Sequence, residues 1–109
     1  MGTAKDVILF DLEKVRFIIK DAIQLDISYA YDDLVFSEHG LIIIQFVKDN
    51  ANLLYCWFNT ECSVEYRDAL FESMKITAEL NKTMLEYKGI FEMKQSEGKE
   101  EIDLKFTAA

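Results

Sequence analysis

The runs Leu41-Ile42-Ile43-Ile44-Gln45-Phe46-Val47 and Leu53-Leu54-Tyr55-Cys56-Trp57-Phe58 decide how this chain folds. Between them lies Lys48-Asp49-Asn50-Ala51-Asn52. Its Asp49–Asn52 part reads as a turn, because Asx side chains bond their own backbone and tolerate left-handed conformations. Side chains alternate faces along a strand, so a strand with one solvated face alternates apolar with polar residues. Here Ile42, Ile44 and Phe46 point one way, Leu41, Ile43 and Val47 the other, and Gln45 is the only strongly polar side chain in either run. Both faces of this pair of strands therefore need a cover.

Upstream, Ile27, Tyr29 and Tyr31 alternate with Ser28, Ala30 and Asp32, and Asp32-Asp33 interrupts the pattern before Leu34-Val35-Phe36. This predicts one bulged or bent strand over 27–36. Glu38-His39-Gly40 reads as the turn that follows, so the three strands form an antiparallel meander. Before them, Ile8, Leu12, Val15, Ile19, Ala22 and Ile23 recur at helical spacing over residues 4–25, with Thr3 as the cap. Val7, Phe10, Phe17 and Ile18 widen this stripe, leaving the helix apolar surface to spare.

Downstream, a second helix is capped by Thr60 or Ser63, with Tyr66, Leu70, Thr77 and Leu80 on one face and Ala69, Met74 and Ile76 beside it. Asn81-Lys82 is the favoured stop, and continuation to Lys88 is the competitor because Met84 keeps the helical spacing. Leu85, Tyr87, Gly89, Phe91 and Met93 then alternate as a half-exposed strand. Ser96–Lys99 turns the chain, and Ile102, Leu104 and Phe106 mark a last strand. The expectation is a single α+β domain over residues 1–109, a two-layer sandwich of order α-β-β-β-α-β-β. Its two helices pack on a mainly antiparallel five-stranded sheet.

Composition narrows the function classes. Hydrophobic residues make up 50% of the 109, enough for a packed core and too many for a disordered chain. The net charge is -8, and Arg16 and Arg67 are the only arginines. Neutralising phosphate takes clustered Lys and Arg, so neither nucleic acid nor an anionic membrane is expected as a partner. No basic region followed by an apolar run opens the sequence, and no segment reaches the length of a membrane span. Cys56 and Cys62 match no zinc or redox spacing and read as free thiols. A reduced, cytoplasmic protein is expected.

No phosphate-binding Gly-rich loop, paired histidines or cysteine-pair zinc motif is present. His39 is the only histidine; with Glu38, Asp32 and Asp33 it could be drawn as a metal or acid–base site, but a solvated turn explains these residues better. Glu61, Glu65, Asp68 and Glu72 share one helix face, which reads as a solvated stripe. The expectation is a protein that is not an enzyme, without catalytic residues, metal or cofactor.

The stretch Ile76-Thr77-Ala78-Glu79-Leu80-Asn81, with Tyr87-Lys88-Gly89-Ile90-Phe91-Glu92 and Glu100-Glu101-Ile102-Asp103-Leu104 after it, resembles the second helix, Asn-containing turn and hairpin of the type III secretion chaperone-like fold. The YbjN-like bacterial family shares that fold. This chain ends at Ala109 without the final helix that covers part of the sheet in some such proteins. The resemblance implies a dimeric, non-enzymatic protein that holds apolar segments of a client or regulates a partner.

Two helices on one face leave the other bare, and six exposed large apolar side chains make a patch beyond what monomers ordinarily carry. Three answers exist: a helix on each face, a homodimer, or a bound protein. The leading expectation is a protein-interaction domain, chaperone-like or adaptor in type, likewise dimeric. Its contacts would run through Leu53, Tyr55 and Trp57, or through Phe10 and Phe17 on the first helix. The alternative is a small-molecule-binding domain with a cavity lined by Tyr29, Tyr31 and Trp57.

Overall fold

A computed structural model describes residues 12–95 and 102–108. Along these residues run α1 (Leu12–Ile23), β1 (Ile27–Tyr31), β2 (Leu34–Ser37), a short helical turn (Glu38–Gly40), β3 (Ile42–Val47), β4 (Asn50–Asn59), α2 (Val64–Leu80), β5 (Met84–Gln95) and β6 (Ile102–Ala108). The sequence-predicted start of the first helix, its Thr3 cap and the turn at Ser96–Lys99 lie outside the described residues.

The order of elements follows the sequence reading, but the sheet has six strands rather than five. The segment expected as one bent strand is a hairpin: Tyr31 pairs with Leu34, and Asp32 turns the chain at φ 52. Asp accepts that left-handed backbone because its short side chain bonds locally. The next hairpin is also tighter than expected, with Val47 paired to Asn50 and Asp49 at φ 69. Strands lie in chain order β1-β2-β3-β4-β5-β6. Neighbours are antiparallel except β4 and β5, which run parallel because α2 carries the chain back between them. The sheet is therefore mixed.

Both helices cover the same face. Val15, Ile18 and Ile19 of α1 and Met74 and Ala78 of α2 form one buried cluster with Val35, Ile42, Ile44, Phe46, Leu54, Cys56, Phe58 and Leu85 of the sheet. The Ser73 hydroxyl ties the helices together by donating to the Ala22 carbonyl at 2.8 Å. On α2 the buried stripe is Met74, Thr77 and Ala78, flanked by half-buried Leu70 and Phe71. Tyr66, Ile76 and Leu80, expected on or beside that face, are exposed. The helix carries apolar residues on more than one side, and packing against the sheet selects the stripe.

Ser63 caps α2 by accepting the Tyr66 N–H at 3.3 Å. Ser63→Ala is expected to lower stability by about 1 kcal/mol, read as a fall in urea midpoint at unchanged slope. The helix stops at Leu80, where Asn81 Nδ2 donates to the Thr77 carbonyl at 2.8 Å and Lys82 turns left-handed at φ 57. The longer helix to Lys88 does not form; Met84 already belongs to β5.

Neither helix of the described residues lies on the second face, yet it is not open. Register shifts interrupt the ladder at Ser28 in β1, between Phe46 and Val47, and opposite Lys88 in β5. Bulges bend a strand and increase its twist. The sheet accordingly curls, bringing β5 against the turn between β2 and β3. A side-chain carbon built on Gly40 would stand 2.8 Å from Met93 Cε, and Gly40 itself adopts φ +59. Inside the curl, Ile43 and Phe91 are 0% exposed. Trp57 meets Phe106 edge-on at 4.8 Å, and its Nε1 donates to Gln45 Oε1 at 3.0 Å. Gln45 Nε2 in turn donates to Asp33 Oδ2 at 2.9 Å. Of the three answers left open by the sequence, a helix on each face is not found: the two described helices do not straddle the sheet, and the sheet buries much of its second face against itself.

Candidate functional site

The curl does not close completely. A groove of about 690 Å³ remains between the two ends of the sheet. One wall is Ser28, Tyr29, Tyr31, Leu34 and Phe36 of β1 and β2, continued by Ser37 and Gly40; the other is Met93 and Leu104 of β5 and β6. Strand alternation explains the first wall: Tyr29 pairs with Phe36 and Tyr31 with Leu34, so all four point inward. Met93 pairs with Leu104 across β5–β6 and supplies the second wall in the same way.

Among the described residues no charged side chain lines the groove. The Ser28 hydroxyl donates to the Ser37 carbonyl at 3.4 Å. The Ser37 hydroxyl donates to the Glu38 carbonyl and accepts the Ile42 N–H, each at 3.1 Å. Both serines are thus engaged with backbone. Tyr29 and Tyr31 lie nearly parallel, 11° between planes and 6.5 Å between centroids, and Tyr29 leans on Phe36 at 5.7 Å. The two tyrosines remain 58% and 60% exposed, so much of their surface is open to an occupant.

The two alternative contact surfaces expected from sequence lie on different layers of the fold. Phe10 lies outside the described residues, and Phe17 projects from the helix layer, exposed. Leu53, Tyr55 and Trp57 alternate along β4 on the opposite side of the sheet, half-buried. Lys88 Nζ sits 4.4 Å from the Tyr55 ring centroid. Of the trio proposed for a small-molecule cavity, Tyr29 and Tyr31 line the groove, while Trp57 packs on Phe106 away from it. Sequence reading missed Phe36, Met93 and Leu104 as lining. Their alternation was legible, but the meeting of the sheet's two ends was not.

Residues weighed for chemistry are dispersed or engaged. His39 is exposed at φ 65, Glu38 Oε1 accepts the Asp26 N–H at 2.8 Å, and Asp33 holds Gln45. Among the described residues no three His, Cys, Asp or Glu side chains converge enough to hold a metal ion. Glu61, Glu65, Asp68 and Glu72 are exposed. Burial drives the Cys56 thiol far above its ordinary value. Cys62 is also raised by burial, with the Arg67 guanidinium opposing. Both cysteines are buried and unpaired. No helix among the described residues is long and apolar enough to cross a membrane.

The chain matches no protein-family model, no curated protein and no solved structure.

Proposed function

We propose that this protein is a non-catalytic binding domain that holds an apolar small molecule in the groove between β1–β2 and β5–β6. The observation that carries the reading is the groove itself. Its 690 Å³ falls within the roughly 300–1,000 Å³ of small-molecule sites, and aromatic and aliphatic side chains dominate its lining. Among the described residues the walls are uncharged and supply apolar contact, and their two serine hydroxyls are bonded to backbone.

The test is titration with an uncharged fluorophore, N-phenyl-1-naphthylamine. Emission should rise and saturate at one probe per chain, and Leu104→Lys, which places an ammonium in the wall, should weaken binding about tenfold or more. A signal that never saturates, or one indifferent to Leu104→Lys, would overturn the proposal.

A second reading keeps the protein-interaction domain, chaperone-like and homodimeric. Ile76 and Leu80 stand one turn apart on α2, exposed together with Met84 at the start of β5. Apolar side chains so placed suit an interface. Light scattering across a concentration series should then show a dimer, and a monomer at every concentration would remove this reading. The buried, unpaired thiols of Cys56 and Cys62 suit a reducing, cytoplasmic setting.

A further inference from the structure

The groove's walls are neutral, but its surroundings are not. The chain carries a net charge of -8. Asp32, exposed, follows Tyr31 in the turn that ends β1, and Glu38 follows Ser37. Among the described residues no Lys or Arg lines the groove. The nearest lysines in sequence, Lys94 and Lys105, alternate with Met93 and Leu104 and so lie on the outer face. There Lys94 pairs in register with Asp103, and Lys105 with Glu92. A carboxylate or sulfate entering the groove would lose water, meet no cation among the described lining residues and face a negative field. A cation would meet the reverse: the negative faces of the exposed Tyr29 and Tyr31 rings and the same field acting as attraction.

We infer that the groove selects cationic amphiphiles, an apolar tail lying between Phe36, Met93 and Leu104 and an ammonium head against Tyr29 and Tyr31. This rests on the groove being a binding site, and it adds the charge class of the guest. The field alone would favour any cation near the chain; the tyrosine pair makes the preference local.

Three ten-carbon amphiphiles separate these effects: decyltrimethylammonium, decyl maltoside and decanoate, each titrated calorimetrically below its micelle concentration at physiological salt. Binding should follow the order cation, neutral, anion, with the cation about tenfold tighter than the neutral compound. Tyr31→Leu keeps the net charge and an apolar wall at an exposed edge position. It should bring the ratio of cation to decyl maltoside affinity from about ten down towards one, whatever it does to the affinity of both. Circular dichroism of the variant reports that it is folded. Binding of none of the three compounds overturns the groove as a site. Equal affinities, or preference for decanoate, overturn only the charge selectivity, as does a cation preference that survives Tyr31→Leu.

Discussion

Phe58→Ala is expected to lower the free energy of unfolding by about 3–5 kcal/mol. Phe58 is 0% exposed, and its ring lies 5.4 Å from Tyr87 at the centre of the cluster that joins both helices to the sheet. Its strand is flanked by β3 on one side and β5 on the other, with Ile42 and Ile90 as register partners. A cavity there is walled by strands fixed in two ladders, so little can collapse into it. Small domains carry about 5–15 kcal/mol in total, so the variant should be marginal or unfolded at 37 °C. Urea denaturation followed by far-UV circular dichroism measures this. A loss under about 1 kcal/mol, the size of a typical point-mutant effect, would place Phe58 outside the core.

Phe91→Ala should cost as much, about 3–5 kcal/mol, and that result carries more information. Phe91 is 0% exposed on the face that neither described helix covers. It pairs with Phe106 across β5–β6, with 6.4 Å between ring centroids. Its burial is a product of the curl. On a flat sheet the same residue would face solvent, and its removal would fall within about 0.5 kcal/mol, as surface substitutions usually do. The two substitutions thus weigh the two faces of one sheet against each other. A large loss for Phe58→Ala with a negligible one for Phe91→Ala would leave the helix layer intact and refute the curl.

Much of the fold is legible in the sequence because the signals are local. The doubly apolar runs predict two strands that need cover on both faces, and both lie in the middle of the sheet. Asn81 marks the end of α2 because a side-chain amide can close the last turn, as its bond to Thr77 does. Asp32-Asp33 signals an irregularity, but a bulge and a two-residue turn carry nearly the same local signature. The choice depends on whether Tyr31 and Leu34 pair, which is a tertiary fact. The face of α2 was misjudged for a similar reason: Tyr66 and Leu80 fit an apolar stripe as well as Phe71 and Met74 do, and only the sheet decides between them.

The cover of the second face was the least legible feature. Curvature comes from small irregularities at Ser28 and opposite Lys88, and neither residue type announces a bulge. Its consequence is a contact between Gly40 and Met93, far apart in the chain, which no periodicity encodes. The groove inherits that difficulty. Tyr29 and Tyr31 stand out as aromatics at strand spacing, whereas Met93 and Leu104 join them only through the closing of the sheet.

That closing is the central claim, and one spectrum tests it directly. In a protein labelled with ¹³C-methyl methionine, a nuclear Overhauser spectrum should show a cross-peak between the Met93 methyl and the Gly40 Hα, because a carbon built on Gly40 would lie 2.8 Å from Met93 Cε. A Met93 methyl that sees Leu104 and its other β5–β6 neighbours, but neither Gly40 nor Phe36, would contradict it.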